Sequence, residues 1–491
     1  MTIQKIDMNE NSFSIAGSSD NRAELRPTLG VVRLIFLIIA AAAPMAGVLG
    51  VVPVALAFGN GIGLPLTFLA AAVILGLFTI GYNAMSREVV NVGAFYAYIV
   101  RGFGGTLGLG SAFLALAAYI IFVVGVVGYF SFFAQVALAD VLGIHLHWGV
   151  LAAFAIAVAA VLGYRQIDFS SRMLAVLLAV EFTVLIALNV SVVGSKGAEA
   201  FPMTVFSFDA LSNGAPGVAI MLAFTCFIGV ESAALYSEEA HSPSRTIGLA
   251  TFGAVFLTSF FYFMTTWITI GAVGPDIQAQ AGKELADLYF NLGNTYVGGF
   301  ATNVMKVFLA TSMFATHLAI HNVASRYIFA LGRQACLPSI LGRTHAVHAS
   351  PHAASIVVTV VTVAVVGVAA LAQLDPLLEL GAVGIGLGTV GIIALQAITS
   401  LAIIAYFRRK GRSRLWTTVI APIASFIGLG LACILAVQNF DLLTGFENRL
   451  VHVLPGLLVV IFAIGCLYAT WLKRNRPSVY SSIVDELSSK A

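Results

Sequence analysis

Ala43-Pro44-Met45-Ala46-Gly47-Val48-Leu49-Gly50, followed by Pro53, lies inside a long apolar stretch near the start of the chain. Phe224-Thr225-Cys226-Phe227-Ile228-Gly229-Val230-Glu231-Ser232 lies inside another near its middle. Proline removes a backbone donor and glycine permits non-helical angles, so the first stretch predicts a helix that breaks near Ala46-Gly47. The second sets a glycine at mid-stretch with a carboxylate just beyond it. Two interrupted apolar helices decide the fold.

The rest of the chain supplies their setting. Of its 491 residues 59% are hydrophobic and 10% charged, and the mean hydropathy is +0.98. A soluble domain has about 25% charged residues, so most of this surface does not face water. Apolar stretches of around twenty residues span a bilayer, and about twelve occur. They centre on 31–58, 62–85, 106–138, 149–165, 172–194, 216–237, 247–273, 298–332, 353–372, 377–407, 416–438 and 448–472. With the N-terminus inside, cytoplasmic loops receive Arg87, Arg101, Arg165, Arg172, Arg245, Arg333, Arg343 and the run Arg408 to Arg414, while the outer loops hold only Lys196, Lys283 and Arg449. That imbalance predicts both termini in the cytoplasm.

Residues 1–29 form a polar tail without the apolar core of a signal peptide. The membrane domain is expected over 30–475, and 476–491 reads as a second cytoplasmic tail, polar and disordered from Pro477. The basic run 408–414 is a topology signal beside anionic headgroups, not a nucleic-acid site. Four scattered cysteines, Cys226, Cys336, Cys433 and Cys466, form no CxxC and suggest neither a disulfide framework nor a metal.

The two breaks open two five-helix halves, about 30–194 and 216–407, with extra helices over 416–472. Interrupted helices at matching places in two halves point to a solute site. Freed amides at one half-helix end favour a carboxylate, and freed carbonyls accept bonds from an ammonium group. A zwitterion with charges on adjacent carbons fits that pair of ends. Gly108, Gly110, Gly381, Gly384, Gly386 and Gly388 read instead as small residues for close helix packing.

Phe227-Ile228-Gly229-Val230-Glu231-Ser232-Ala233 is followed by Glu238-Glu239-Ala240, Ser242-Pro243 and Arg245-Thr246-Ile247. With Gly93-Ala94-Phe95-Tyr96-Ala97-Tyr98, Gly102-Phe103-Gly104 and Ser325-Arg326 through Leu337-Pro338, this resembles the amino acid–polyamine–organocation permeases. The resemblance covers roughly 30–475 and implies an all-α integral membrane protein with a 5+5 inverted-repeat core, broken helices one and six, and two C-terminal helices. It implies carboxylate contacts around Pro44, Met45, Ala46, Gly47 and Val48. The amino group would lie near Ala223, Cys226, Phe227, Ile228 and Gly229, and side-chain specificity would come from Ala112, Tyr119, Thr225 and Ile320. An arginine–agmatine exchanger of this family carries tryptophans at the positions of Thr225 and Ile320. Both are absent here.

Ionisable groups inside a membrane are costly and are functional candidates. Several sodium-independent relatives carry a lysine at the position of Glu181, where its ammonium stands in for sodium. An acid there suggests a coupling proton. Glu231 either links protonation to gating or bonds freed amides of the break. Thr311, Ser312 and Thr316 resemble the hydroxyls that complete a sodium site in this fold, and oxygen ligands suit a hard cation. His317 and His321, four apart, lack a third metal ligand. Lys306 is expected to snorkel to the outer interface.

Enzyme motifs are missing: no GxSxG in a strand–turn–helix setting, no HExxH, and no phosphate loop ending in Lys-Ser. A channel needs a continuous polar pore, which mostly apolar segments do not offer. The sequence therefore predicts a plasma-membrane secondary transporter, without cofactor or metal, that imports an amino acid or small amine with a proton. Sodium symport or exchange is the alternative.

Overall fold

The computed structural model describes residues 30–89, 94–165, 171–230, 243–345, 348, 350–444 and 449–485. Every regular element among them is helical. Ten helices are long and apolar enough to cross a membrane: Gly61–Ser86, Gly105–Leu142, Trp148–Arg165, Val176–Ala200, Thr246–Val273, Gly299–Arg333, His352–Leu371, Pro376–Arg409, Leu415–Gln438 and Arg449–Asn475. They coincide with ten of the segments read from the sequence. The remaining two are segments one and six, whose described residues form only shorter helices: Val31–Ala42 and Pro44–Phe58 in the first, Pro216–Thr225 in the second. Glu231 and the Glu238-Glu239 loop lie outside the described residues.

The elements that position the site are α1 (Val31–Ala42), α2 (Pro44–Phe58), α3 (Leu64–Ser86), α4 (Ala94–Phe103), α5 (Gly105–Leu142), α6 (Trp148–Arg165), α7 (Ser171–Lys196), α8 (Pro216–Thr225), α9 (Pro243–Val273), α10 (Gly299–Arg333), α11 (His352–Leu371), α12 (Val383–Arg409), α13 (Ala421–Gln438), α14 (Pro455–Asn475) and α15 (Pro477–Asp485). The long α5 is the hub, packed against α10, α12 and α14. Lipid tails are as apolar as leucine, so helices associate here by van der Waals contact between small residues. A Cβ on Gly125 would sit 2.4 Å from the Ile385 backbone nitrogen, and one on Gly465 would sit 2.8 Å from Gly110 Cα. Backbones touch at both places. Buried hydroxyls such as Thr79 and Ser131 donate to carbonyls one turn back, at 2.8 and 2.7 Å, which satisfies them without a partner helix.

The two ends of the bundle differ in chemistry. At the basic end Lys410 meets Glu88 at 2.5 Å and Tyr96 donates to Gln334 at 2.6 Å. Lys410 holds the Glu88 carboxyl below the ordinary carboxylate range. A depressed folded-state pKa stabilises above the unfolded value, so this tie between α3 and α12 is lost as pH falls through the depressed one. At the opposite end Lys306 pairs with Asp140 and lies 5.2 Å over the Phe290 ring. The long Lys306 stem reaches a half-exposed carboxylate near the end of α5.

One terminal expectation is corrected. Pro477 begins α15, not a disordered tail. Pro477 suits a first helical position, where its missing N–H has no role. Tyr480 lies against Gly105, whose Cβ would meet the ring at 3.0 Å, and its hydroxyl is 3.2 Å from that of Thr106. Ile483 is fully buried. Tyr480→Ala is expected to lower the melting temperature of the detergent-solubilised protein by roughly 2–4 °C. Tyr480→Phe, which keeps the ring on Gly105, should lose much less; an alanine variant that melts with the unaltered protein would mean that α15 is not docked.

Candidate substrate site at the two broken helices

The first break falls at Ala43, three residues before the expected Ala46-Gly47 step. Ala43 adopts φ 44° and ψ 74°. The Pro44 ring disfavours the helical region for the residue before it, and Pro44 has no N–H to give to the turn behind. The chain then makes one short turn, Pro44–Ala46, and a π-helical stretch over Gly47–Val51 before regular helix resumes. Gly47 is therefore not the hinge. It permits close approach instead: a Cβ there would lie 1.9 Å from the Tyr262 hydroxyl.

The second break follows Thr225. The amides of Cys226, Phe227 and Ile228 turn to the carbonyls three residues back, at 3.2, 3.0 and 3.1 Å, and Gly229 takes φ 110°. A three-residue ladder is too tight to continue as an α-helix. Only glycine enters that positive-φ region freely.

A cavity with an empty volume of about 410 Å³, counting the part open toward solvent, lies between the breaks. Ala42, Ala43, Ala46, Gly47 and Val51 line it from the first break, and Thr225, Cys226 and Ile228 from the second. Phe122, Val126 and Tyr129 form one face of α5, and Met313, Thr316 and Ile320 one face of α10; Ile385 closes the wall. Of the residues named from sequence, Ala46, Gly47, Thr225, Cys226, Ile228, Thr316 and Ile320 are brought together here. Pro44, Met45, Val48, Ala223, Phe227 and Gly229 belong to the breaks but are not part of this lining.

Ala112 and Tyr119 are not part of the lining either. They are buried lower on α5, Tyr119 with its ring 5.4 Å from that of Tyr327. Phe122 lies ten residues beyond Ala112, roughly 15 Å along the helix. On α5 the cavity is lined by Phe122, Val126 and Tyr129 instead. Thr311 is a second correction: it is exposed on the outer side of α10 and donates to the Phe308 carbonyl at 2.9 Å. At about 100° per residue, Thr311 and Thr316 cannot share the inner face that Ser312 and Thr316 occupy.

Glu181 of α7 is 5% exposed, directly behind the first break. The Ser312 hydroxyl and the Met45 backbone amide are the polar groups that act on it. Yet its Oε2 and the Ser312 Oγ each lack a hydrogen bond. Pro44–Ala46 packs on both α7 and α10, which explains why these three meet. Across the break stands Tyr262 of α9, stacked on Phe68 at 4.9 Å and edge-on to Phe227 at 6.3 Å. Its hydroxyl is buried beside the Cys226 thiol, without a hydrogen bond of standard geometry. Tyr262 thus touches both breaks.

Sequence reasoning missed Tyr262 and Tyr129. Tyrosine in an apolar segment carries no signal alone, although each hydroxyl here is buried and unpartnered. His317 and His321 stay a packed pair, rings 6.1 Å apart, with His321 bonded to Ser355 at 2.9 Å. Among the described residues no group of three His, Cys, Asp or Glu is arranged to hold a metal.

Ten apolar spans among the described residues, and two interrupted helices meeting at a shared cavity, define a multi-pass membrane protein. A sequence profile of amino acid permeases matches residues 29–476. The chain belongs to the amino acid permease family, within the amino acid–polyamine–organocation superfamily. It is similar to the Uncharacterized transporter R00093 of Rhizobium meliloti (strain 1021), 29% identical over 202 residues that make up 40% of this chain and 42% of that protein. It is also similar to the Branched-chain amino acid permease BcaP of Lactococcus lactis subsp. cremoris (strain MG1363), 26% identical over 308 residues, 58% of this chain and 64% of that one. Each match thus spans less than two thirds of the relative's length.

Gly47→Ala places a methyl group inside the Tyr262 hydroxyl, and overpacking of this kind costs about 1–3 kcal/mol. The variant should melt several degrees lower. Adding Tyr262→Phe should recover part of the loss, since the nearest remaining ring carbon, 2.7 Å away, still overlaps. A double variant no more stable than Gly47→Ala would show that the hydroxyl is not the obstacle.

Proposed function

We propose that this protein carries a neutral amino acid across the plasma membrane by alternating access, with a proton as coupling ion. The observation that carries the reading is the cavity between the two breaks with buried Glu181 behind the first. The solute carboxylate docks on the amides that follow Pro44, and its ammonium on the carbonyls around Cys226 and Ile228. Met313, Ile320, Ile385 and Val126 surround the side chain with hydrocarbon, which supports a neutral solute. A charged side chain would meet no opposite charge there and would be costly to desolvate.

In this reading residues 30–194 and 216–407 are the inverted halves, both termini are cytoplasmic, and the basic end faces inward. The distribution of Lys and Arg supports that orientation. Proton coupling is favoured over sodium because Thr311 points away from the break, which removes one of three hydroxyl ligands. A carboxyl buried behind the first break, beside Ser312 and Met45, is placed to carry that proton.

Uptake of labelled amino acids into sodium-free proteoliposomes tests this. An inward proton gradient should drive accumulation by the unaltered protein. Glu181→Gln should abolish gradient-driven accumulation, at least tenfold, while exchange against preloaded solute persists in part. Accumulation by Glu181→Gln equal to that of the unaltered protein would remove the coupling role. Accumulation that requires sodium would replace the ion.

A further inference from the structure

Gly50 is a glycine for space and not for backbone freedom. It lies in the π-helical stretch Gly47–Val51 and takes no positive φ, so its backbone does not demand glycine. Alanine there would favour the helix, since glycine has more conformational freedom to lose on folding. What forbids a side chain is the neighbourhood. A Cβ on Gly50 would lie 2.6 Å from Met313 Cε, 3.3 Å from the Phe133 ring and 3.4 Å from the Tyr129 ring. The missing methyl group is the notch in which the tip of Met313 rests.

Met313 of α10 and Tyr129 of α5 both line the substrate cavity, so this notch is at its edge. Phe133 and Tyr129, one turn apart on α5 with ring centroids 6.0 Å apart, bound the notch on the α5 side. The other aliphatic walls, Val51, Val126, Ile228, Ile320 and Ile385, all branch at Cβ and are stiff for that reason. Methionine is unbranched, turns about three bonds and fills irregular gaps. Among the aliphatic lining, Met313 is the one side chain whose end can move while its backbone stays in place.

Resting on the proposed transport of a neutral amino acid, we infer that Met313, seated on Gly50, sets the largest apolar side chain the cavity accepts. With its methyl in the notch, the thioether stem forms an end wall. A methyl group on Gly50 evicts the tip. The two rings block its retreat along α5, and the open space beside it is the cavity, which becomes shorter. Removing the Met313 side chain beyond Cβ does the opposite and lengthens the cavity toward Gly50. One methylene more or less in a hydrophobic pocket changes preference by about 10- to 200-fold, so both changes are large enough to read as selectivity. Met313 is not among the groups proposed to hold the solute carboxylate or ammonium, so it acts on side-chain length and leaves the anchoring of the zwitterion alone.

The test compares uptake of labelled glycine, alanine, valine, leucine and phenylalanine into proteoliposomes by the unaltered protein, Met313→Ala and Gly50→Ala. Binding of the same amino acids is read separately, as a rise in melting temperature in detergent. Met313→Ala should raise the leucine-to-alanine ratio by about tenfold, and Gly50→Ala should lower it by a similar factor. The double variant should return toward the unaltered ratio, because the new methyl occupies part of the vacated space. Met313→Leu conserves volume and is the variant best tolerated by packing; it withdraws the tip from Gly50 and should shift the ratio in the direction of Met313→Ala. A mere packing role would lower uptake of every solute together. Ratios that stay constant, or that move the same way in Gly50→Ala and the Met313 variants, overturn the size filter while uptake itself sustains the transport reading. Size-dependent melting shifts without uptake would overturn transport and keep the filter, and an unaltered protein that neither binds nor takes up any amino acid overturns both.

Discussion

In hydrocarbon every backbone N–H and C=O must be satisfied within the protein, and an unmet group costs several kcal/mol. This constraint organises the molecule. Among the described residues ten helices obey it by crossing as continuous helix, and two violate it at Pro44 and beyond Thr225. Irregular backbone is tolerated at membrane depth only where protein covers it or a cavity receives it. Both conditions are met here. The tightened turns at Cys226–Ile228 recover three bonds at shorter spacing, and the π-helical stretch after Ala46 recovers others at longer spacing.

The surroundings of the two breaks are unlike the scaffold that carries them. The α5–α12 and α5–α14 contacts are backbone against backbone, through Gly125, Gly384, Gly110 and Gly465. Such contacts have no side chain to rearrange, and close-packed interiors transmit strain instead of yielding. The breaks rest on aromatic rings: Tyr262 on Gly47, Phe68 on Tyr262, and Phe227 edge-on to both. Rings can slide and re-pack at modest cost, so the proposed alternating access would concentrate its conformational change at α2, α8 and α9. A stiff hub and cushioned breaks would then be its fixed and moving parts.

Much of this was legible in the sequence, for definite reasons. Ten spans followed from hydropathy, because length and apolar content are summed properties that tolerate error in any one residue. The break in segment six was found because glycine and a carboxylate interrupt one apolar run. The break in segment one was misplaced by three residues: glycine signals permission to bend, whereas the clash between the Pro44 ring and the preceding residue compels it. Thr311 was grouped with Ser312 and Thr316 on residue type, yet helical phase turns it outward. Tyr129 and Tyr262 stayed invisible because an aromatic in an apolar segment is the usual filling. Only three-dimensional proximity separates them from the other tyrosines. The α15 helix was missed because its serines suggest disorder, while the contacts of Tyr480 and Ile483 that order it come from residues far away in the chain.

The position of Glu181 gives the proposed coupling a physical form. Its carboxyl is next to the Met45 amide, and that amide belongs to the turn on which the solute carboxylate would dock in the proposed reading. An ionised Glu181 and a solute carboxylate are then two anions drawn to one stretch of helix-one backbone. Like charges in a low-dielectric site repel strongly, so each disfavours the other. Protonation of Glu181 removes the competitor and leaves the amides to the solute. Linkage makes the effect reciprocal: whatever factor the proton adds to solute affinity, the solute adds to proton affinity. Coupling of this kind needs no long pathway between sites. It needs one short turn of backbone, held by Pro44, with a carboxyl on one side and the cavity on the other.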